Sequence, residues 1–196
     1  AYYPSDVRAA TEICNHVDVD AYVYISSGAA YGAEEIPKRE GETALHDCTA
    51  EQATEDSAES YGPRKAEGDR AVFEAGARGV NAMSVRPPVV YGPYDYTERF
   101  DYWIDRVLNH DTLVVPGDGT NLWQRAYVKD VASALRIVAE KGTPGEAYNV
   151  GDEHAPTIAG WVSRLATAAE ESIETVFAGS RELSAASLDL VDFPGY

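Results

Sequence analysis

Residues 21–32 read AYVYISSGAAYG, and residues 61–65 read YGPRK. The first stretch opens as a short apolar run, Ala21 to Ser26, with the β-rich composition of a strand buried in a parallel sheet. It ends in Ser26-Ser27 and a loop of small residues, Gly28-Ala29-Ala30-Tyr31-Gly32. The second stretch leads into a helical segment, Lys65 to about Ala77, in which Ala66, Val72, Phe73 and Ala77 supply an apolar face. Strands alternating with helices imply a parallel α/β sheet.

The same alternation continues outward. Ser5 or Asp6 is placed to cap a helix running to about Asn15. Residues 34–59 are rich in Glu, Asp and Thr without periodicity and read as a loop. Val80 to Val85 is the next strand, closed by Arg86-Pro87-Pro88. Glu98 to Asn109 is predicted as an amphipathic helix with Phe100, Trp103, Ile104, Val107 and Leu108 inward. Thr112 to Val115 is a strand, followed by the turn Pro116-Gly117-Asp118-Gly119. Asp130 caps a helix marked by Val131, Ala134, Leu135 and Val138, and Ala147 to Val150 is strand-like. Thr157 to Glu170 carries Ile158, Trp161, Val162 and Leu165 on one stripe, and Ile173 to Phe177 alternates as a last strand. There are no internal repeats.

The 196 residues carry 16 Lys plus Arg against 33 Asp plus Glu, a formal charge of −17. A phosphate backbone repels such a chain, which argues against general nucleic-acid binding. Hydrophobic residues at 44% are too many for a disordered acidic tail. Lys38, Lys65, Lys129 and Lys141 are the only lysines. Dense carboxylates with few lysines resemble the surfaces of halophilic proteins in salt-saturated cytoplasm, where ionic strength screens self-repulsion; an ordinary acidic protein is the alternative. Cys14 and Cys48 form no CxxC pair and read as two buried thiols in a reducing cytosol. His16, His46, His110 and His154 lack ligand spacing, so no metal is expected. No apolar run approaches the ~18 residues of a membrane span, and no signal peptide opens the chain. The expectation is a soluble cytoplasmic protein without a membrane partner.

Three features converge on chemistry. Ligands of open α/β sheets sit beyond the carboxyl ends of the strands, where Ser26 and Ser27 offer hydroxyls; the plainer reading is that they cap the strand. Tyr61 and Lys65 are four apart, on one face of a helix. A phenol ionises near pH ~10, and a neighbouring ammonium lowers that value, which suits general acid–base work. The third feature is RPPVVYGP at 86–93, followed by GDG at 117–119 and YVKDV at 127–131, by composition turns and a helix start.

In this order, from Ala1 to about Ala169, the motifs resemble the extended short-chain dehydrogenase/reductases, the NAD-dependent epimerase/dehydratase family. SSxxVYG is matched by Ser26 to Gly32, RPxxVYGP by Arg86 to Pro93, GDG…YVxDVA by Gly117 to Ala132 and GExYNVG by Gly145 to Gly151. The resemblance implies an α/β fold, a partial Rossmann-type doubly wound parallel sheet with part of a small C-terminal substrate domain. Residues 1–150 would be the second half of the NAD(P)-binding domain, with a substrate-loop insertion at about 91–125, and 151–196 part of the substrate domain. It implies Ser27, Tyr61 and Lys65 as catalytic residues and Ala1, Ser26, Tyr61, Lys65, Pro87, Pro88 and Val89 as cofactor-binding residues. Tyr91, Trp123 and Arg125 are substrate-binding candidates. Tyr61 would take a proton from a substrate hydroxyl while hydride passes to NAD, with NADP left open. Lys65 would hold the cofactor ribose, and Ser27 would bond the reacting oxygen. The implied partners are a small-molecule substrate, with a nucleotide sugar the leading candidate, and a second copy of the chain, packed through about Ser5–Asn15 and Ser60–Ala77.

The chain also departs from the family. No GxxGxxG is present, so it is expected to be a fragment that lacks the first half of the cofactor domain, ends inside the substrate domain, and has lost most cofactor affinity and activity. Dehydratases of the family follow the catalytic Thr with an Asp-Glu pair; here Gly28 and Ala29 stand there, which argues against dehydration. UDP-sugar enzymes commonly carry Asn at Val89 and an Arg near Trp123. Arg125 replaces that charge from two residues along, or forms a structural ion pair in a helix-leading loop. The alternatives to a nucleotide-sugar epimerase are a reductase of another carbonyl or alcohol, and a non-catalytic binding protein on the same fold.

Overall fold

The structure is a computed structural model and describes residues 1–17, 19–188 and 190–193. The chain divides into two compact units, residues 1–88 with 129–151, and residues 89–128 with 152–196. The last three residues of the substrate domain expected over 151–196 lie outside the described residues.

The first unit is built on a sheet of three parallel strands, β1 (Tyr22–Ile25), β2 (Ala82–Arg86) and β6 (Ala147–Asn149), in the order β1-β2-β6. The period-two alternation of strand side chains decides what each face meets. Tyr24 and Ala82 pack with Val7, Val72 and Ala75 from α1 (Pro4–His16) and α2 (Ala58–Ala77). Met83 and Val85 pack instead with Val138 and Leu135 of α4 (Val128–Lys141). Helices therefore cover both faces, as a parallel sheet with apolar strands requires.

α1 begins at Pro4, the favoured residue for a first helical position, with Ser5 and Asp6 in its first turn and not at its cap. α2 starts well before the predicted Lys65. Ser57 caps it by accepting from the Ser60 N–H at 3.2 Å, and Pro63 lies inside it at the loss of one backbone donor. Asp130 lies in the first turn of α4 and does not cap it. Residues 32–57 form no strand or α-helix longer than a turn.

The second unit holds two parallel strand pairs. β3 (Val89–Tyr91) pairs with β5 (Arg125–Tyr127), and β4 (Thr112–Pro116) pairs with β7 (Glu174–Ala178). Trp103 and Val107 of α3 (Asp101–Asn109), Ile158 and Val162 of α5 (Ile158–Ala169), and Leu183 of α6 (Ser180–Ala185) close a core with Leu113, Val115 and Trp123. Leu108, expected inward, is 51% exposed: it follows Val107 by 100° and leaves the buried stripe. Cys14 and Cys48 are half-buried, not buried: Cys14 lies in the last turn of α1 and Cys48 in the irregular stretch 32–57. Among the described residues no helix is long and apolar enough to cross a membrane, and no group of His, Cys, Asp and Glu is arranged to hold a metal.

Candidate active site

The strand β1 ends at Ile25, and the chain turns through a single 3₁₀ turn, Gly28–Ala30, that Ser27 caps by accepting from the Ala29 N–H at 3.1 Å. Buried Ser26 donates its N–H to Val85 O at 2.8 Å, and Gly28 donates to Pro87 O at 2.9 Å. The loop after β1 is thus pinned to the turn after β2. Against its other side lies α2. A Cβ on Gly62 would fall 2.6 Å from Ala29 O, so only glycine lets helix and loop approach this closely. Tyr61 precedes that glycine.

Lys65 follows Tyr61 by one turn and is 6% exposed. Its ammonium donates to Ile25 O at 2.9 Å and Ala1 O at 3.4 Å. The rings of Tyr24, Tyr2 and Tyr61 surround it, with centroids 5.1, 5.5 and 5.7 Å from Nζ. Burial pushes the Lys65 pKa down; Asp69 opposes this and Arg64 adds to it. Three hydrogen-bonding positions remain unspent among the described residues: the third Lys65 proton, the Tyr61 hydroxyl and the O–H of Ser27. Of the residues predicted to bind cofactor, Ala1, Ser26, Tyr61, Lys65, Pro87 and Pro88 share the first unit, and Val89 begins the second.

Beneath the site runs a buried polar chain that the sequence reading did not single out. Asp69, fully buried on α2, accepts from Ser84 Oγ and from Arg86 Nε, the latter at 2.8 Å. Arg86 donates onward to the Tyr31 hydroxyl at 2.9 Å, and Tyr31 to Asn149 Oδ1 at 2.9 Å. Burial raises the Asp69 pKa against the opposing pull of Arg86 and Ser84. A Ser and an Arg on the same face of an inner strand were the available signal, because buried polar groups need partners.

The substrate candidates lie in the second unit. Arg125 occupies β5, not a loop, and is 4% exposed. It forms no ion pair among the described residues. Its guanidinium sits 3.5 Å from the Trp161 ring centroid and 5.0 and 5.8 Å from those of Trp123 and Tyr91, while Nε and Nη1 have no hydrogen-bond partner. Burial lowers its pKa. Tyr91 stacks on Phe100, with centroids 4.5 Å apart, and donates to Asp152 at 3.3 Å.

The profile of the NAD dependent epimerase/dehydratase family matches residues 5–151. The chain belongs to this family. Among family relatives, the chain is 24% identical over 145 residues to a dTDP-D-glucose 4,6-dehydratase of Dictyostelium discoideum, covering 72% of this chain and 33% of that protein. It is 26% identical over 151 residues to the chloroplast stem-loop binding protein of 41 kDa b of Arabidopsis thaliana, covering 76% and 36%. The chain spans about a third of the length of these curated relatives. Its fold matches that of the UDP-glucuronic acid 4-epimerase from Bacillus cereus in complex with NAD, with a TM-score of 0.71 at 21% identity over 93% of this chain and 59% of that one. The parallel α/β architecture of the first unit is thus the Rossmann type of the family's epimerases and dehydratases.

Proposed function

We propose that this chain carries the acid–base centre of an NAD(P)-dependent epimerase acting on a nucleotide-linked sugar. The observation that carries the reading is the set of unspent hydrogen-bonding positions on Ser27, Tyr61 and Lys65, gathered around the carboxyl end of β1. Tyr61 takes the proton from a substrate hydroxyl, Ser27 donates to the same oxygen, and the Lys65 ammonium lies 5.7 Å from the Tyr61 ring centroid. A bound nicotinamide would supply the acceptor and donor of hydride. The residues fit such a group: the third Lys65 proton suits a ribose hydroxyl, and Ala1, Ser26, Pro87, Pro88 and Val89 would supply the backbone around it. Tyr91, Trp123 and Arg125 would hold the substrate, with the two unpartnered guanidinium nitrogens supporting an anionic group.

Elimination of water is disfavoured, since Gly28 and Ala29 offer no carboxylates beside Ser27. The charge of −17 argues against a stem-loop ligand of the kind named for the Arabidopsis relative. The exposed Ile13 and Val17 at the end of α1 support a homodimer, and the lysine-poor acidic composition supports a salt-rich cytoplasm as the setting. Tyr61→Phe in the intact protein is the test. Turnover should be abolished while NAD affinity stays within about threefold, because the phenol is one contact among several. A near-normal rate would remove Tyr61 from this role.

A further inference from the structure

We propose that Asp69 is a positioning residue: through Arg86 and Tyr31 it sets the Ser27 loop against the Tyr61 helix, and it places a carboxylate one helical turn beyond Lys65. The inference rests on the acid–base reading of Ser27, Tyr61 and Lys65.

Stability alone gives Asp69 little reason to exist. Its neighbours on α2 facing the sheet are Ala71, Val72 and Ala75. Burying an ion pair is often no better than filling the same space with apolar side chains. What the carboxylate adds is connection. The Ser84–Asp69–Arg86–Tyr31–Asn149 chain ties α2 to the carboxyl ends of β2 and β6 and to the end of the Ser27 loop. The Arg86 guanidinium also lies 4.7 Å from the Tyr31 ring centroid, so Tyr31 is held by its face as well as its hydroxyl. Tyr31 is four residues beyond Ser27, and one 3₁₀ turn lies between them. A shift of Arg86 therefore reaches Ser27 through a short rigid segment.

The electrostatic part follows from what faces Lys65. Its own helix presents Tyr61, Arg64 and Asp69; β1 presents Tyr24 and the Ile25 carbonyl; the start of the chain presents Tyr2 and the Ala1 carbonyl. Asp69 follows Lys65 by four residues on α2 and so shares its helix face, and its charge opposes the lowering of the Lys65 pKa by burial and Arg64.

A Lys65→Arg variant makes the test direct. In intact protein labelled with ¹³C,¹⁵N-lysine, the Lys65 side-chain resonance is identified by its loss in Lys65→Arg and titrated without substrate or cofactor. In Asp69→Asn the Lys65 titration should move down by about one pH unit, as loss of a nearby opposite charge dictates. Should Asp69→Asn fail to fold with Arg86 left unpaired, the neutral pair Asp69→Asn/Arg86→Gln keeps the same shape without buried charge and should show the same shift. Tyr31→Phe alters no charge. It should leave the Lys65 titration in place and lower kcat about tenfold with KM within about twofold, the signature of a misplaced catalytic group. A Lys65 titration unmoved in the neutral pair overturns the electrostatic half, and an unchanged kcat in Tyr31→Phe overturns the positioning half. Full turnover in Tyr61→Phe would instead defeat the acid–base reading while the titration shift still stood.

Discussion

Gly62→Ala is the sharpest probe of the site, because two effects of opposite sign meet there. Alanine inside a helix gains about 1 kcal/mol over glycine. Against this, the new Cβ would lie 2.6 Å from Ala29 O, with His46 Cδ2 at 3.1 Å. An ordinary C···O contact is about 3.3 Å, so something must yield by about 0.7 Å. The helix is fixed along its length, and the loop is the side that moves. Forced overpacking costs about 1–3 kcal/mol, so the net loss is about 0–2 kcal/mol and the fall in Tm only a few degrees for a domain of this size. Activity should suffer far more. Ala29 N–H bonds Ser27 Oγ, so displacing Ala29 drags the Ser27 hydroxyl with it, and misplacement by about 1 Å costs on the order of 100-fold. Thermal unfolding and steady-state kinetics on the intact protein should show Tm within a few degrees and kcat reduced tenfold or more. Gly76→Ala is the contrast: its Cβ would meet Gly145 N at 2.3 Å, on the far part of α2. It should lower Tm more than Gly62→Ala and leave kcat unchanged. A Gly62→Ala protein with raised Tm and full kcat would refute the close approach of loop and helix.

Three further outcomes follow from the same chemistry. Arg125→Met removes a buried charge with two unpartnered donors; it should raise the unfolding free energy by about 1 kcal/mol while raising KM for an anionic substrate, and a neutral KM would remove Arg125 from the binding set. Lys65 has a folded pKa below its unfolded one, so the unfolded state binds more protons and stability rises with pH through that window. The stability advantage of Lys65→Met over the parent, measured by denaturant titration, should therefore shrink as pH rises toward 10.5 and stay constant if burial does not depress Lys65. With a formal charge of −17, unfolding should shift upward in temperature between 0.1 and 2 M KCl, since the screening length falls from about 10 Å to below about 3 Å; a flat response would speak against self-repulsion as the limiting term.

The first unit was legible because its elements announce themselves locally. The run at 21–26 is apolar and β-rich, and Tyr61 and Lys65 share a helix face whatever the helix's start. The start itself was hidden by Pro63, which reads as a breaker but costs one bond once Ser57 has capped the helix upstream. β3 and β5 were not legible: three residues each, they have no room for a period, and only their pairing makes them strands. Arg125 consequently read as a loop residue. The Asp69 chain was half visible, as polar Ser84 and Arg86 alternate with Met83 and Val85 on β2. The acid that satisfies them lies 15 and 17 residues away on another element, and one strand's pattern cannot name it.

The dehydratase among the family relatives and the epimerase reading pull in different directions, and the placement of residues says why the pull is unequal. The family match ends at residue 151 and embraces the elements that build the sheet and its helices. The 24% identity to a dehydratase spans 145 residues, nearly the length of that match. The reaction is decided by a few side chains next to the reacting carbon, where eliminating water needs an acid and a base beyond the one that moves the hydroxyl proton. In this chain the two positions after Ser27 carry a hydrogen and a methyl group. Gly28 packs 3.7 Å from Pro87 O by the measure of an added Cβ, and Ala29 abuts Gly62. Position 29 is exposed and meets Gly62 through its backbone carbonyl, so the seam with α2 leaves its side chain open to solvent, and the missing carboxylates are a matter of residue identity.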